Sequence, residues 1–229
     1  MKSQGMCGFL LLAVCALLTS ACSEPHAELR AAPKGLGDLS SPRGVLKTYY
    51  SSIGADDAAL LRSVLHAPSA GAAHFADDYS VLAVRCHALS VALAKEFPGH
   101  APLEGPGEHI ELFSDERLKA GTAAIANLEF AQTERRATVR DTSRSEFLLS
   151  ATGTADGLRL SANDSRWQLD LSDIQFEQYP RVNEYFGYLH RISQLSAAYP
   201  SLTRQVRSHA FRSIADFQNQ YRKIVAEQQ

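Results

Sequence analysis

Residues 75–97 read FADDYSVLAVRCHALSVALAKEF, and this stretch decides the architecture. Phe75, Tyr79, Leu82, Cys86, Leu89, Leu93 and Phe97 follow one another in steps of four and three, which puts all of them on one face of a helix. Val81, Val84, Ala88 and Val91 widen that face, so the spacing predicts a helix covered over much of its circumference. Pro98-Gly99 stops it, and Pro102, Gly105, Pro106 and Gly107 mark a surface loop. A helix this apolar needs partners on several sides, and the flanking sequence supplies them.

Upstream, Ser41 and Pro42 have the residue types of an N-cap and a first helical position. Val45, Leu46, Tyr49, Tyr50 and Ile53 form the apolar face of that helix, and Gly54 ends it. Asp56 is placed to cap a second short helix carrying Leu60, Leu61, Val64 and Leu65, with HAPSAGAA (66–73) a loose link behind it. Downstream, a short helix is expected over residues 114–120, and then the period drops from about 3.6 to 2. Ala124, Ala126, Leu128 and Phe130 alternate with other residues; so do Ala137 and Val139, then Phe147, Leu149 and Ala151, then Leu158, Leu160 and Ala162, then Trp167, Leu169 and Leu171. QTER, DTSR, Asp156-Gly157 and NDSR supply turns between the sets. Five short strands make an antiparallel meander with one face against helices and the other wetter. Past Pro180, Val182, Tyr185, Leu189, Ile192 and Tyr199 share a helical face. Pro200 breaks that run, and Leu202, Val206, Ala210, Phe217, Tyr221 and Ile224 form another. The class is α+β: N-terminal helices on a curved antiparallel meander over residues 41–175, then a C-terminal helical hairpin over residues 176–229.

The N-terminus tells where such a domain goes. Lys2 is the only charge in the first 22 residues, followed by FLLLAVCALL (9–18) and the small residues Thr19, Ser20 and Ala21. That layout is a secretory signal over residues 1–21, and its apolar run is shorter than the ~20 residues of a spanning helix. LLTSAC (17–22) resembles a bacterial lipobox, with Thr19 where that family usually has leucine. The resemblance implies that the Cys22 thiol receives a diacylglycerol, the bond before it is cut and the new amine is acylated. The protein is then a membrane-anchored lipoprotein of the cell envelope, facing the periplasm or the exterior. Residues 22–40 are rich in Ala, Gly and Pro and form a flexible tether that reaches roughly 20–25 Å. Cys7 and Cys15 leave with the signal and Cys22 takes the lipid, so Cys86 stays without an intrachain disulfide partner. From residue 181 on, seven basic residues meet three acidic ones, a charge of +4, whereas residues 23–180 carry −7. The basic residues are dispersed, which suits docking on the acidic body, and export disfavours nucleic acid as a partner.

SPRGVLKTYYSSIGADDAALLRSVL (41–65) and RRATVRD (135–141) with SRWQLDLSD (165–173) resemble the cone-shaped fold of nuclear transport factors, SnoaL-like cyclases and ketosteroid isomerases. The long third helix and the C-terminal extension depart from it. The resemblance implies either a binding module or an enzyme working by acid and base groups in the mouth of the sheet, because that fold hosts both. Asp141 is the one acid in phase with an inward strand set, at a strand end; Asp170 is out of phase. Tyr49, Tyr50, Phe147 and Trp167 are the candidate pocket residues, each equally able to serve as core. His74 with Asp77 or Asp78 has metal-ligand spacing but no third ligand nearby, and the two aspartates suit the first turn of a helix. Cys86 and His87 are neighbours, yet adjacent helical residues point about 100° apart. GxSxG, HExxH, phosphate-loop and CxxC patterns are missing, so neither metal nor cofactor is expected. The leading expectation is a noncatalytic envelope lipoprotein that binds a partner protein or a small apolar ligand. Two alternatives stay open: a cone-fold isomerase, hydrolase or dehydratase using a helix-borne acid or base, and an assembly subunit acting through its C-terminal helices.

Overall fold

Ser41 accepts the amide of Gly44 at 3.0 Å and Pro42 fills the first turn, so helix α1 (Pro42–Gly54) begins where serine and proline predict. A computed structural model describes residues 37–132, 134–140, 159–163, 166–171 and 194–227 of the chain. The signal segment, Cys22 and the tether up to residue 36 lie outside the described residues. Residues 37–40 lie against the sheet: Leu39 is buried and its carbonyl accepts the amide of Trp167 at 2.8 Å.

After α1 the chain closes with Asp56 in the left-handed region (φ 54), its amide on the Ile53 carbonyl and that of Asp57 on Ser52. The closing turn of α1 uses Asp56, and the N-cap of α2 (Ala58–Ser63) is instead Asp57, which accepts the amide of Leu60 at 2.8 Å. Leu65, expected in this helix, belongs to strand β1 (Leu65–His66). The nearby Pro68 disfavours helix, and the extended backbone lets the carbonyls of Val64 and His66 accept from Leu169 and Leu171.

Helix α3 (Ala70–Glu96) starts five residues ahead of Phe75, capped by Ser69, which accepts the amide of Ala72 at 3.1 Å. Alanine has the strongest helix propensity, and AGAA therefore extends the helix backwards instead of forming a link. Asp77 and Asp78 fall past the first turn: Asp77 pairs with Arg62 at 2.6 Å and Asp78 lies 3.5 Å from His74. Phe75, Tyr79, Leu82, Cys86, Leu89 and Leu93 are all buried. α3 is the hub of the fold, in contact with α1, α2, α4 (Glu108–Glu111), α5 (Asp115–Ala124) and α6 (Tyr199–Arg207). The Pro/Gly stretch before α4 includes a 3-10 turn (Gly105–Gly107) and buries Leu103 where a surface loop is expected; His109 and Ile110 of α4, just beyond it, are buried too.

α5 runs on to Ala124 and into a second 3-10 turn (Ile125–Asn127), so Ala124 and Ala126 of the first alternating set belong to the end of a helix, and Phe130 of that set falls in a strand. Tertiary contacts override its period: Ile125 is buried, and Arg43 donates to the carbonyls of Ile125 and Leu128 with its guanidinium 5.2 Å from the Phe130 ring centroid. Strands β2 (Glu129–Gln132), β3 (Arg136–Arg140), β4 (Arg159–Asn163) and β5 (Arg166–Asp170) pair antiparallel in sequence order, and β1 joins parallel at the β5 edge. Ala137 stands opposite Leu160, and Ala162 opposite Trp167. Phe147, Leu149 and Ala151, the third expected set, lie outside the described residues. Ala137, Trp167 and Leu169 bury the inner face, and α1 packs on β5. The fold is α+β with a largely antiparallel sheet.

In the tail, Pro200 sits in the first turn of α6, where its missing N–H costs no hydrogen bond, so it does not break the helix. The break comes at residues 208–213, where His209 takes φ 58, before α7 (Ile214–Glu227). Tyr199, Leu202, Val206, Phe217 and Tyr221 are buried, and α6 packs along α3. The stripe over residues 182–192 lies outside the described residues. Among the described residues no helix is long and apolar enough to cross a membrane.

Candidate functional site

Gly99 turns the chain with φ 72 as α3 ends, and a cleft of about 720 Å³ opens between the last turns of α3 and the α4–α5 segment. Its walls carry Lys95, His100, Glu111, Asp115, Glu116 and Lys119. The volume is that of a small-molecule site, for which the usual range is about 300–1,000 Å³. Charges of both signs line it. Lys95, Lys119 and Glu116 have no ion-pair partner among the described residues. Glu111 closes α4, and its Oε1 is buried without a hydrogen-bond partner. A buried carboxylate oxygen left unpaired is costly.

Behind the cleft, His87 projects from α3 with a side chain only 6% exposed. Nδ1 meets Asp56 Oδ1 at 2.8 Å, and Nε2 meets Asp115 Oδ1 at 3.1 Å. A neutral imidazole has one N–H, whereas two carboxylates need two donors, so the bridge is complete only in the charged ring. Burial pulls the pKa of His87 down; the hydrogen bonds and charges of Asp56 and Asp115 outweigh it and leave the pKa above its ordinary 6.5. With both nitrogens occupied His87 is a positioning group. It ties the first turn of α5, including the cleft residue Asp115, to α3 and to the turn after α1.

Cys86 points away from His87 into the core, as adjacent helical residues do. Its thiol is fully buried, and desolvation raises its pKa against a weaker hydrogen bond to Tyr199. Tyr199 is the centre of a buried polar cluster: its hydroxyl is hydrogen-bonded to His109 Nε2 and lies 2.9 Å from that of Tyr221. These groups join α3, α4, α6 and α7. A second pair links the hydroxyls of Tyr49 and Tyr79.

Of the residues expected in a pocket, Tyr49 and Tyr50 come together edge to face with ring centroids 5.2 Å apart, both buried. Burial first, then the neighbouring Tyr49, raises the pKa of Tyr50. Trp167 is buried on β5, and Phe147 and Cys22 lie outside the described residues, as does Asp141. The cleft is built from other residues, because its walls are brought together by a helix end and a turn-rich segment. The helix end belongs to a periodic stripe, but the segment it meets has no periodic signature, though Glu108, Glu111, Asp115, Glu116, Arg117 and Lys119 mark a solvated charged surface. No group of His, Cys, Asp and Glu suited to a metal ion occurs among the described residues. No protein-family model matches the chain, and no curated protein or solved structure matches it.

Proposed function

We propose that this protein is a noncatalytic lipoprotein of the cell envelope, anchored through a lipidated Cys22, whose α+β domain binds a partner protein or a small ligand. The domain adopts a SnoaL-like cone in this reading, extended by the C-terminal helical hairpin. The single observation that carries the location is the lipobox-like LLTSAC behind a short apolar run. The cleft supports the binding role, with a ligand-sized volume and walls whose charges are not spent on one another. Those walls favour polar chemistry over the apolar ligand suggested by the strand faces. Support for a non-enzymatic role comes from His87, whose two nitrogens are both committed to carboxylates.

The anchor is tested by the intact mass of the N-terminal peptide isolated from native membranes, which should show an acylated Cys22 as first residue. Replacing Cys22→Ser should move the protein to the soluble fraction with its thermal midpoint unchanged, because in this reading the cysteine serves only to carry the lipid. Wild-type protein recovered soluble and unlipidated would end this reading.

A further inference from the structure

We propose that His87 is a latch on the cleft operated by pH: its charged ring holds the first turn of α5 against α3, and its neutral ring keeps Asp56 and releases Asp115. The cleft then opens on the side walled by Ser114, Asp115 and Glu116. Only the consequence for binding rests on the cleft being the binding site; the latch itself does not. α3 from Ser90 onward forms one wall and residues 111–119 the other. His87 lies one helical turn before Ser90, and it grips the opposite wall through Asp115. A neutral imidazole has one N–H, and its other nitrogen turns a lone pair toward a carboxylate, so one of the two contacts becomes repulsive.

The two carboxylates are not equivalent. Asp56 makes the shorter contact, 2.8 Å against 3.1 Å, and its turn is closed by the amides of Ala55, Asp56 and Asp57 at 2.9 Å or less. Asp115 is the more exposed, 61% against 49%. It stands in the first turn of α5, where free amides and the helix dipole stabilise a carboxylate without His87. The cap of that turn is long, with the Arg117 amide 3.4 Å from Ser114 Oγ. The remaining proton therefore stays on Nδ1 and Asp115 is let go. Leu118 is buried and Gly121 abuts the Tyr50 ring, so the rest of α5 stays on α1 and the movement is confined to the lip.

The charges that act on the ring are those of Asp56 and Asp115. Of the others on the elements around it, Asp57 caps α2, Arg62 of α2 pairs with Asp77, Arg85 of α3 donates to Ser196, and His109 of α4 meets Tyr199. Lys95, Glu111, Glu116 and Lys119 line the cleft beyond. Burial disfavours the charged ring, but the two aspartates prevail and the proton is lost above pH 6.5. The latch is closed in acid and opens as pH rises.

Amide hydrogen exchange of the full chain in detergent micelles between pH 5.5 and 8.5, corrected for intrinsic rates, tests this. The Leu118 amide donates to Ser114 and reports on the lip, whereas the Asp57 amide donates to Ser52 and reports on the Asp56 side. Protection of Leu118 should fall about three- to tenfold as His87 loses its proton, with Asp57 unchanged. The nitrogen shifts of the neutral ring should show the proton on Nδ1. In Asp115→Asn the side-chain amide can donate to the bare Nε2, so Leu118 should keep its protection at high pH; the residue is exposed, and this variant keeps the fold. His87→Gln should give a flat profile. A flat wild-type profile, loss of protection at Asp57 instead of Leu118, a proton on Nε2, or an Asp115→Asn profile like the wild type would each overturn the latch. No ligand enters these measurements, and the acylated N-terminal peptide is weighed separately, so failure of the latch is distinguishable from failure of the proposed function.

Discussion

Gly121 sits within α5, where alanine is ordinarily the better residue by about 1 kcal/mol. Here a Cβ would fall on the Tyr50 ring, which is buried and packed edge-on against Tyr49. Overpacking a filled site costs about 1–3 kcal/mol, so the clash outweighs the helix preference. Gly121→Ala should lower stability by about 1–2 kcal/mol in urea titration; a raised midpoint would mean that the Tyr50 ring yields freely. His87 makes a prediction in pH. Its folded pKa lies above the unfolded 6.5, so its bridge stabilises the fold fully below pH 6.5, and that contribution fades as pH rises through the folded value. Asp56 and Asp115 are themselves about half exposed, which keeps the contribution modest. The thermal midpoint should therefore fall above pH 6.5 in the wild type and fall less in His87→Gln; parallel curves would place the proton elsewhere. The inward direction of Cys86 is legible from its place in the stripe. The partners of His87 are not, since Asp56 lies in the turn after α1 and Asp115 in the first turn of α5, each far from it in sequence and outside any apolar stripe.

At the scale of elements, the hydroxyl of Tyr199 joins His109 on α4 to Tyr221 on α7, beside Cys86 of α3. Tyr199→Phe keeps the ring and removes the oxygen, so that the buried His109 and Tyr221 each lose a hydrogen bond. Each such loss costs about 1–3 kcal/mol, so the variant should lose at least 1–2 kcal/mol although its apolar packing is unchanged. Hydrogen exchange should also show α6 and α7 loosened ahead of α1; uniform loosening would deny the cluster any special hold on the tail. Pro200 and Gly105-Pro106-Gly107 show where element reading runs out. Proline in a first turn and proline at a break look alike in one dimension, and a Gly/Pro segment reads as surface although it delivers His109 to the core. The stripes of α1 and α3 needed no such context, because propensity, caps and burial there agree. The alternation at 124–127 misled because the Ile125 carbonyl accepts from Arg43 and the Ile125 side chain is buried in the core, whereas Phe130 beyond it does pair with a neighbouring strand.

Across the whole molecule, an acidic body (−7) receives a basic tail (+4), and contacts such as His209 with Glu96 at 2.7 Å tie the two. That complementarity was visible in the sequence, and so was the tail's need for cover. Which surface supplies the cover was not, since α3 offers apolar side chains over much of its circumference. Tail and α3 meet across long loops: 111 residues separate Arg85 from Ser196, whose carbonyl accepts its guanidinium. A ribosome releases α3 long before the side chains that seal it, so the nascent chain passes a long interval with that helix open on one side. Closure over such a separation is also entropically late, because the loop must be brought together before its contacts reward it. In refolding, pulse-labelled α3 amides should gain full protection together with those of α6 and α7, and an earlier, separate protection of α3 would contradict this order. An incompletely synthesised chain is then kept from locking into its final state, so for this protein a missing C-terminus is a folding defect and not a trimmed edge.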